Sequence, residues 1–135
     1  MKPTVYIETT IPSYYHTTRE TLAVDSERTR TWWDNDRPAY ECFTSQITLD
    51  ELSEGGYLTK AQCLALIRPV PLLEITEAIL EIADVYWQHQ LMPRLPVRDA
   101  FHLAVASFYR MDFLLTWNFH HLANANKMKH LLRVN

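Results

Sequence analysis

The stretch DAFHLAVASFYRMDFLLT at residues 99–116 decides the fold, because it joins two different patterns. Apolar residues occupy nearly every side of a helix over residues 99–110, which predicts a buried helix. Residues 112–116 form a short apolar run that predicts a strand. A buried helix followed directly by an apolar strand is typical of a parallel sheet covered by helices.

The same alternation extends along the chain in both directions. Apolar runs predict further strands at 4–7, 39–44 and 72–75. Helical periodicity predicts helices at 19–36, 45–54, 59–67, 76–90 and 124–132, with a loop or short helix at 9–15. Gly55 and Gly56 are expected to stop one helix, and Thr76 to cap another. We therefore predict one domain over residues 1–135, a three-layer α/β/α sandwich with a mostly parallel sheet of four to five strands.

Composition excludes several classes of function. The only two glycines are adjacent, so the chain cannot form a dinucleotide fingerprint or a phosphate-binding P-loop. Two cysteines are too few for a disulfide framework or a four-thiolate zinc site, which favours a reducing, cytoplasmic setting. No signal-peptide pattern and no membrane-spanning apolar run are found, and the net charge of −3 argues against bulk binding of DNA.

Candidate functional residues were sought where strands end, because open parallel sheets bind ligands beyond the carboxyl ends of their strands. Glu8 directly follows the first strand, and Glu51 lies on the helix after the second. Asp99 opens the buried helix, and Asn118 lies two residues beyond the fourth strand. These positions converge if the Asp99 helix packs into the crevice. Asp112 begins its strand and is therefore expected at the opposite edge.

Four segments together resemble the PIN-domain family, and within it the VapC-like toxins of toxin–antitoxin systems. They are VYIETT at 5–10, SQITLDELSEG at 45–55, DAFHLAVA at 99–106 and DFLLTWN at 112–118. The resemblance implies a ribonuclease that uses Mg²⁺ or Mn²⁺ held by Glu8, Glu51, Asp99 and Asn118. It further implies an RNA substrate, a cognate antitoxin protein and a homodimer.

The chain departs from the common pattern of that family in three places. Glu8 stands where an Asp is usual, and Asn118 stands where many members carry a fourth Asp. The first change lengthens the arm by one methylene, and the second removes a negative charge while keeping a carbonyl oxygen. The chain also ends at Asn135, soon after the last predicted helix, where many relatives add a short strand. We therefore expect a missing or shortened sheet edge.

Each candidate also has a simpler structural explanation. Glu8 could be a solvated acid at a strand end, Glu51 part of an exposed charged helix face, Asp99 a helix cap and Asn118 a turn residue. Two further functions therefore stay open: a PIN-fold module that binds RNA or protein with little nuclease activity, and an unrelated small α/β enzyme. Mn²⁺ binding separates the nuclease from the binding module.

Other residues invite weaker interpretations. His102 lies one turn after Asp99, where a core histidine is favoured over a partner of the acidic pocket. His120 and His121 lack metal-site spacing, so a surface or RNA-facing position is favoured. The aromatic side chains that could contact a partner or stack on bases are favoured as core; they are Tyr14, Tyr15, Trp32 and Trp33. A small basic patch, favoured as a solvated helix face, comprises Lys127, Lys129, His130 and Arg133.

Overall fold

A five-stranded sheet with the order β3-β2-β1-β4-β5 forms the centre of the fold. The computed structural model describes residues 1–88, 97–118 and 131–133. The strands are β1 (Thr4–Ile7), β2 (Glu41–Ser45), β3 (Leu72–Leu73), β4 (Phe113–Leu115) and β5 (Leu131–Arg133). The first four run parallel to one another, whereas β5 pairs antiparallel with β4.

Helices cover both faces of this sheet. The described helices are α1 (Thr10–His16), α2 (Ala23–Thr31), α3 (Gln46–Ser53), α4 (Lys60–Ile67), α5 (Glu77–Gln88) and α6 (Val97–Phe108). Val5 and Ile7 of β1 pack into a core shared with α1 and α4, whereas Tyr6 between them packs into a core shared with α5 and α6. This alternation follows from the period of two along a strand. The predicted three-layer α/β/α sandwich is confirmed.

The order of the strands places a crevice beside β1. The chain proceeds outward from β1 to β2 and β3, and then crosses to the other side of β1 to form β4. Ligand sites of open α/β sheets lie at such a reversal, beyond the carboxyl ends of the strands. Because α6 leads into the parallel strand β4, it runs against the strand direction and begins at this same edge.

Two local predictions about helix ends are confirmed. After α3 ends at Ser53, Gly55 adopts a positive φ of 75°. A side chain is strained in that conformation, so glycine suits the position. At the start of α5, the amide of Ile79 donates to the hydroxyl of Thr76 at 3.4 Å, as expected of an N-cap.

Two predictions about helices need correction. The stretch predicted as one helix over 19–36 is helical from Glu20 to Asp36, but it comprises a 3₁₀ turn (Glu20–Leu22), then α2, then a π-helical segment (Trp32–Asp36). The helix predicted at 124–132 fails at its last two residues, because Leu131 and Leu132 belong to β5. Residues 124–130 lie outside the described residues, as does the loop predicted at Pro93 and Pro96.

The expected loss of a sheet edge is also wrong, because β5 supplies the edge strand beyond β4. A short apolar run such as the one at 131–132 has no decisive periodicity. The free edge of β4 offers unpaired backbone groups, and pairing with them determines the outcome. Within the described residues, no helix has the length and apolar character needed to cross a membrane.

Candidate functional site

Glu8 is buried at the carboxyl end of β1, with 3% of its surface exposed. One carboxylate oxygen, Oε1, accepts hydrogen bonds from the amide of Thr10 at 2.9 Å, the hydroxyl of Thr10 at 2.5 Å and the hydroxyl of Thr116 at 2.9 Å. Burial raises the pKa of Glu8 above its ordinary value, and the nearby His102 ring and these hydrogen bonds offset only part of that effect. The simpler explanation of Glu8 as a solvated acid is therefore wrong.

Glu51 lies on α3 with 14% of its side chain exposed, so it is not part of an open charged face. Its Oε1 accepts hydrogen bonds from the hydroxyl of Thr9 and from Nε2 of His102, the latter at 2.7 Å. Its Oε2 lies 3.8 Å from Nε of Arg98. Burial alone raises the pKa of Glu51, but the interactions with His102, the hydrogen bond from Thr9 and the charge of Arg98 outweigh it and hold the pKa below its ordinary value.

Asp99 lies in the first turn of α6, at the carboxyl edge of the sheet, with 6% of its surface exposed. It is the third residue of the helix and not the N-cap residue itself, and its burial sets it apart from an exposed helix cap. His102 follows one turn later on the same helix. The burial of both side chains shows that the start of α6 packs inward.

Asn118 is connected to Glu8 through Thr116. The amide N–H of Asn118 donates to the hydroxyl oxygen of Thr116 at 2.9 Å, and the same hydroxyl donates to Glu8. This places the backbone of Asn118 beside Glu8 at the end of β4. Among the described residues, no hydrogen bond joins its side-chain amide to a carboxylate.

The structure therefore places the predicted residues at one edge of the sheet, but their described side chains do not surround a common metal-binding point. Glu51 is linked to the segment after Glu8 through Thr9, and to α6 through His102. In the described part of the chain, no three His, Cys, Asp or Glu side chains are close enough together to hold a metal ion. One reason is that Glu51 turns its Oε1 toward Thr9 and His102.

Several residues that contact Glu8 or Glu51 were not predicted from the sequence. Thr9 and Thr10 directly follow Glu8, Arg98 directly precedes Asp99, and Thr116 lies two residues before Asn118. Their positions beside the candidate carboxylates were the available signal. Arg98 also pairs through both of its terminal nitrogens with Glu54, at 2.6 and 2.5 Å.

Asp112 lies at the edge of the sheet opposite the candidate site, as the sequence predicted. Its Oδ2 accepts from the amide of Thr4 at 2.9 Å, and its own amide donates to the Thr4 hydroxyl at 2.9 Å. These bonds tie the starts of β1 and β4 together. Asp112 therefore lies at the amino edge of the sheet, away from Glu8.

The aromatic residues mostly belong to the core. Trp32 and Trp33 are 6% and 5% exposed, which leaves little surface for stacking on a base. Tyr14 stacks on Trp117 with ring centroids 5.2 Å apart, one residue before Asn118. His120, His121, Lys127, Lys129 and His130 lie outside the described residues, so their predicted roles stay predictions.

A second concave region lies away from the carboxylates. A cavity of about 940 Å³ is lined by residues at the starts of three strands, among them Thr4, Glu41 and Asp112. It is at the amino edge of the sheet, where parallel α/β sheets do not usually bind ligands. The buried carboxylates and the topological reversal are instead together at the carboxyl edge, which we take as the candidate site.

No family model matches this chain, and no curated protein matches it.

Proposed function

We propose that this protein is a metal-dependent endoribonuclease of the PIN-like kind, acting in the cytoplasm as the toxin of a toxin–antitoxin pair. In this proposal Glu8, Glu51, Asp99 and Asn118 hold Mg²⁺ or Mn²⁺ at the carboxyl edge of the sheet. RNA is the substrate, an antitoxin protein is the inhibitor, and the active form is a homodimer. The four sequence segments that resemble PIN-domain toxins supply the reaction class.

The observation that carries the proposal is the burial of two linked glutamates where the strand order reverses. Glu8 and Glu51 are both largely withdrawn from solvent, and the hydroxyl of Thr9, the residue after Glu8, donates to Glu51. Buried acids are costly unless they serve a purpose or are compensated. This cost favours a functional role for the pair over a role in stability.

The donor set fits the proposed ion chemically. Mg²⁺ and Mn²⁺ take hard oxygen ligands, and Mg²⁺ is commonly held by one or two carboxylates together with waters and substrate phosphates. Such a site does not need three protein ligands in contact beforehand. Glu8, whose pKa burial raises, is a carboxylate whose ionised form a nearby cation would stabilise.

Each residue has a defined role in this proposal. When bound, a divalent ion supplies Lewis acidity that activates water and stabilises the leaving oxygen at phosphorus. Glu8 and Asp99 provide carboxylate oxygens from β1 and α6, while Thr10 and Thr116 fix the orientation of Glu8. Arg98 lies beside Glu51 and adds positive charge where a phosphate would approach.

An RNA-cleavage assay with Asp99→Asn tests this proposal. Wild-type protein should cleave single-stranded RNA with Mg²⁺ or Mn²⁺, and EDTA should abolish the activity. Asp99→Asn should lower cleavage by more than the roughly 100-fold that loss of a partner outside the ligand set can cost. Asp50→Asn is the matched control, because Asp50 is an exposed acid on α3 that accepts only from Gln46 among the described residues. Unchanged cleavage by Asp99→Asn would show that the proposed pocket is wrong.

A second candidate function is a binding module of the same fold with little nuclease activity. The observation that favours it is the absence, within the described residues, of three acidic or histidine side chains close enough to hold a metal. Calorimetric titration with Mn²⁺ separates the two. Heat from a single site supports the nuclease, whereas RNA binding without Mn²⁺ binding at millimolar metal supports the module.

A further inference from the structure

His102 is buried at the centre of the network that surrounds Glu51, and both of its ring nitrogens are engaged. Nδ1 lies 2.7 Å from the hydroxyl of Tyr6, and Nε2 lies 2.7 Å from Oε1 of Glu51. The side chain has no exposed surface. The ring nitrogens of any buried histidine need hydrogen-bond partners, so the informative observation is that one of these partners is the carboxylate of Glu51.

The chemistry of these partners fixes the direction of each hydrogen bond. A carboxylate only accepts hydrogen bonds, so Nε2, which lies 2.7 Å from Oε1 of Glu51, carries the proton and donates it. In the neutral ring Nδ1 is then an acceptor, and the hydroxyl of Tyr6 donates to it. Burial raises the pKa of Tyr6, which keeps that hydroxyl protonated and able to donate.

The hydrogen bonds from Glu51 through His102 to Tyr6 continue to Ser45. Tyr6 is fully buried on β1, and its hydroxyl lies 2.7 Å from the hydroxyl of Ser45, the last residue of β2. The ring of His102 is therefore held between β1 and α3, and β2 supports it indirectly through Tyr6. Tyr6, Ser45 and His102 are all fully buried, so water does not compete for these bonds.

We propose that His102 is a positioning residue that fixes the Glu51 carboxylate for divalent-metal binding. By holding Oε1 together with Thr9, it leaves Oε2, which lies 3.8 Å from Nε of Arg98, as the oxygen that can bind a metal ion. Partners of this kind outside the ligand set orient the ligands, and their loss typically costs about 10–100-fold in metal affinity. This inference rests on the proposed function, because it assigns His102 a role within the same site.

Two substitutions of His102 separate the bond to Glu51 from the bond to Tyr6. His102→Gln places an amide nitrogen close to the position of Nε2 and retains a donor to Glu51. His102→Asn reaches only the position of Nδ1, so it retains a partner for Tyr6 and loses the bond to Glu51. Mn²⁺ affinity is measured by calorimetry for both, with thermal unfolding measured in parallel and Asp50→Asn as the control.

We expect His102→Asn to weaken Mn²⁺ binding by about tenfold or more, and His102→Gln to stay within about threefold of wild type. A core role alone predicts that neither substitution changes Mn²⁺ affinity in folded protein. Equal Mn²⁺ affinities of wild type and folded His102→Asn therefore overturn the inference, as does equally weak binding by both variants. If wild-type protein binds no Mn²⁺, the proposed function itself fails and this inference fails with it.

Tyr6→Phe provides a second test in case the His102 variants do not fold. It removes the donor to Nδ1 and leaves the bond between His102 and Glu51 in place. We expect a loss of Mn²⁺ affinity smaller than the tenfold expected of His102→Asn. If folded Tyr6→Phe binds Mn²⁺ as tightly as wild type, the hydrogen bonds of Ser45 and Tyr6 do not help to position Glu51, which would contradict this part of the inference.

Discussion

Glu8 and Glu51 lie at the same edge of the sheet, yet their surroundings favour opposite protonation states. Glu8 receives neutral amide and hydroxyl donors, and burial raises its pKa. Glu51 is less deeply buried and contacts His102 and Arg98, which hold its pKa below the ordinary value. The two carboxylates thus have similar chemistry and different electrostatic environments.

This difference shows which kind of partner compensates the burial of a carboxylate. Neutral donors reduce the desolvation cost but supply no net positive charge, whereas cationic partners supply both a hydrogen bond and a charge. The hydrogen-bond donors to Glu8 are neutral groups, whereas Glu51 lies 3.8 Å from the guanidinium of Arg98, which is always charged. A divalent cation beside Glu8 would remove the imbalance.

The largest effect on stability is expected from Glu51→Gln. The substitution replaces a charged acceptor of the His102 and Thr9 hydrogen bonds by a neutral one. We expect the free energy of unfolding at pH 7 to fall by about 1–3 kcal/mol, measured by urea denaturation. Asp50→Asn is the control and should leave the value nearly unchanged. Equal values for Glu51→Gln and wild type would mean that the His102 bond adds nothing to the fold.

Glu8→Gln should act in the opposite direction at neutral pH. It removes a buried charge and keeps an oxygen that accepts from Thr10 and Thr116. We expect the melting temperature at pH 7 to rise by a few degrees when no metal is added. Thermal unfolding in EDTA measures this effect. A fall in the melting temperature would show that the Glu8 carboxylate is already compensated.

The pH dependence of these two variants sharpens the comparison further. A raised pKa at Glu8 means that its stabilising contribution is present below the unfolded pKa and is lost as pH rises through the folded pKa. A lowered pKa at Glu51 means that its contribution is present above the unfolded pKa and is lost as pH falls through the folded pKa. The stability difference between wild type and Glu8→Gln should therefore grow with rising pH, and that for Glu51→Gln should shrink with falling pH. Unfolding measured from acidic to neutral pH tests both slopes.

A smaller effect is expected from Thr116→Val, which removes one of the neutral donors to Glu8. The substitution also removes the acceptor of the Asn118 amide. We expect a loss of about 1 kcal/mol in the free energy of unfolding. Because the ionised form of Glu8 loses a donor, Glu8→Gln should stabilise the Thr116→Val protein more than it stabilises wild type. A double-mutant cycle at pH 7 measures this coupling, and a coupling of zero would contradict it.

The smallest effect is expected from Glu54→Gln. Glu54 and Arg98 are both about half exposed, and exposed ion pairs add little to stability. The melting temperature should change by about one degree or less. A larger fall, measured by thermal unfolding at low and high salt, would indicate that Glu54 holds Arg98 against Glu51 more firmly than its exposure suggests.

Much of this fold could be predicted from the sequence because its signals are local. The apolar strand at 4–7, the glycine stop near Gly55 and the Thr76 cap each depend on a few neighbouring residues. The segment at 131–132 was misassigned, because its strand exists only through pairing with β4. Local pattern cannot identify a strand whose partner decides its conformation.

The candidate site was less predictable because its contacts join distant parts of the chain. The predicted ends of the strands are enough to identify the edge of the sheet that carries the candidate site and the residues that lie there. The bond from Thr116 to Glu8 and the bond from His102 to Glu51 depend on how β4 and α6 pack against β1 and α3. The orientation of Glu51 toward His102 is set by that packing, so no spacing rule could reveal it.

Under the proposed function, Glu8, Glu51 and Asp99 contribute to one divalent-metal site at the carboxyl edge of the sheet. The most direct measurement is the anomalous signal of Mn²⁺ in crystals of wild type and of Asp99→Asn, grown with Mn²⁺. We expect an anomalous peak in wild type within coordination distance of Asp99 and of at least one of the two glutamates. This peak should be absent in Asp99→Asn. A peak elsewhere, or none at millimolar Mn²⁺, would contradict it.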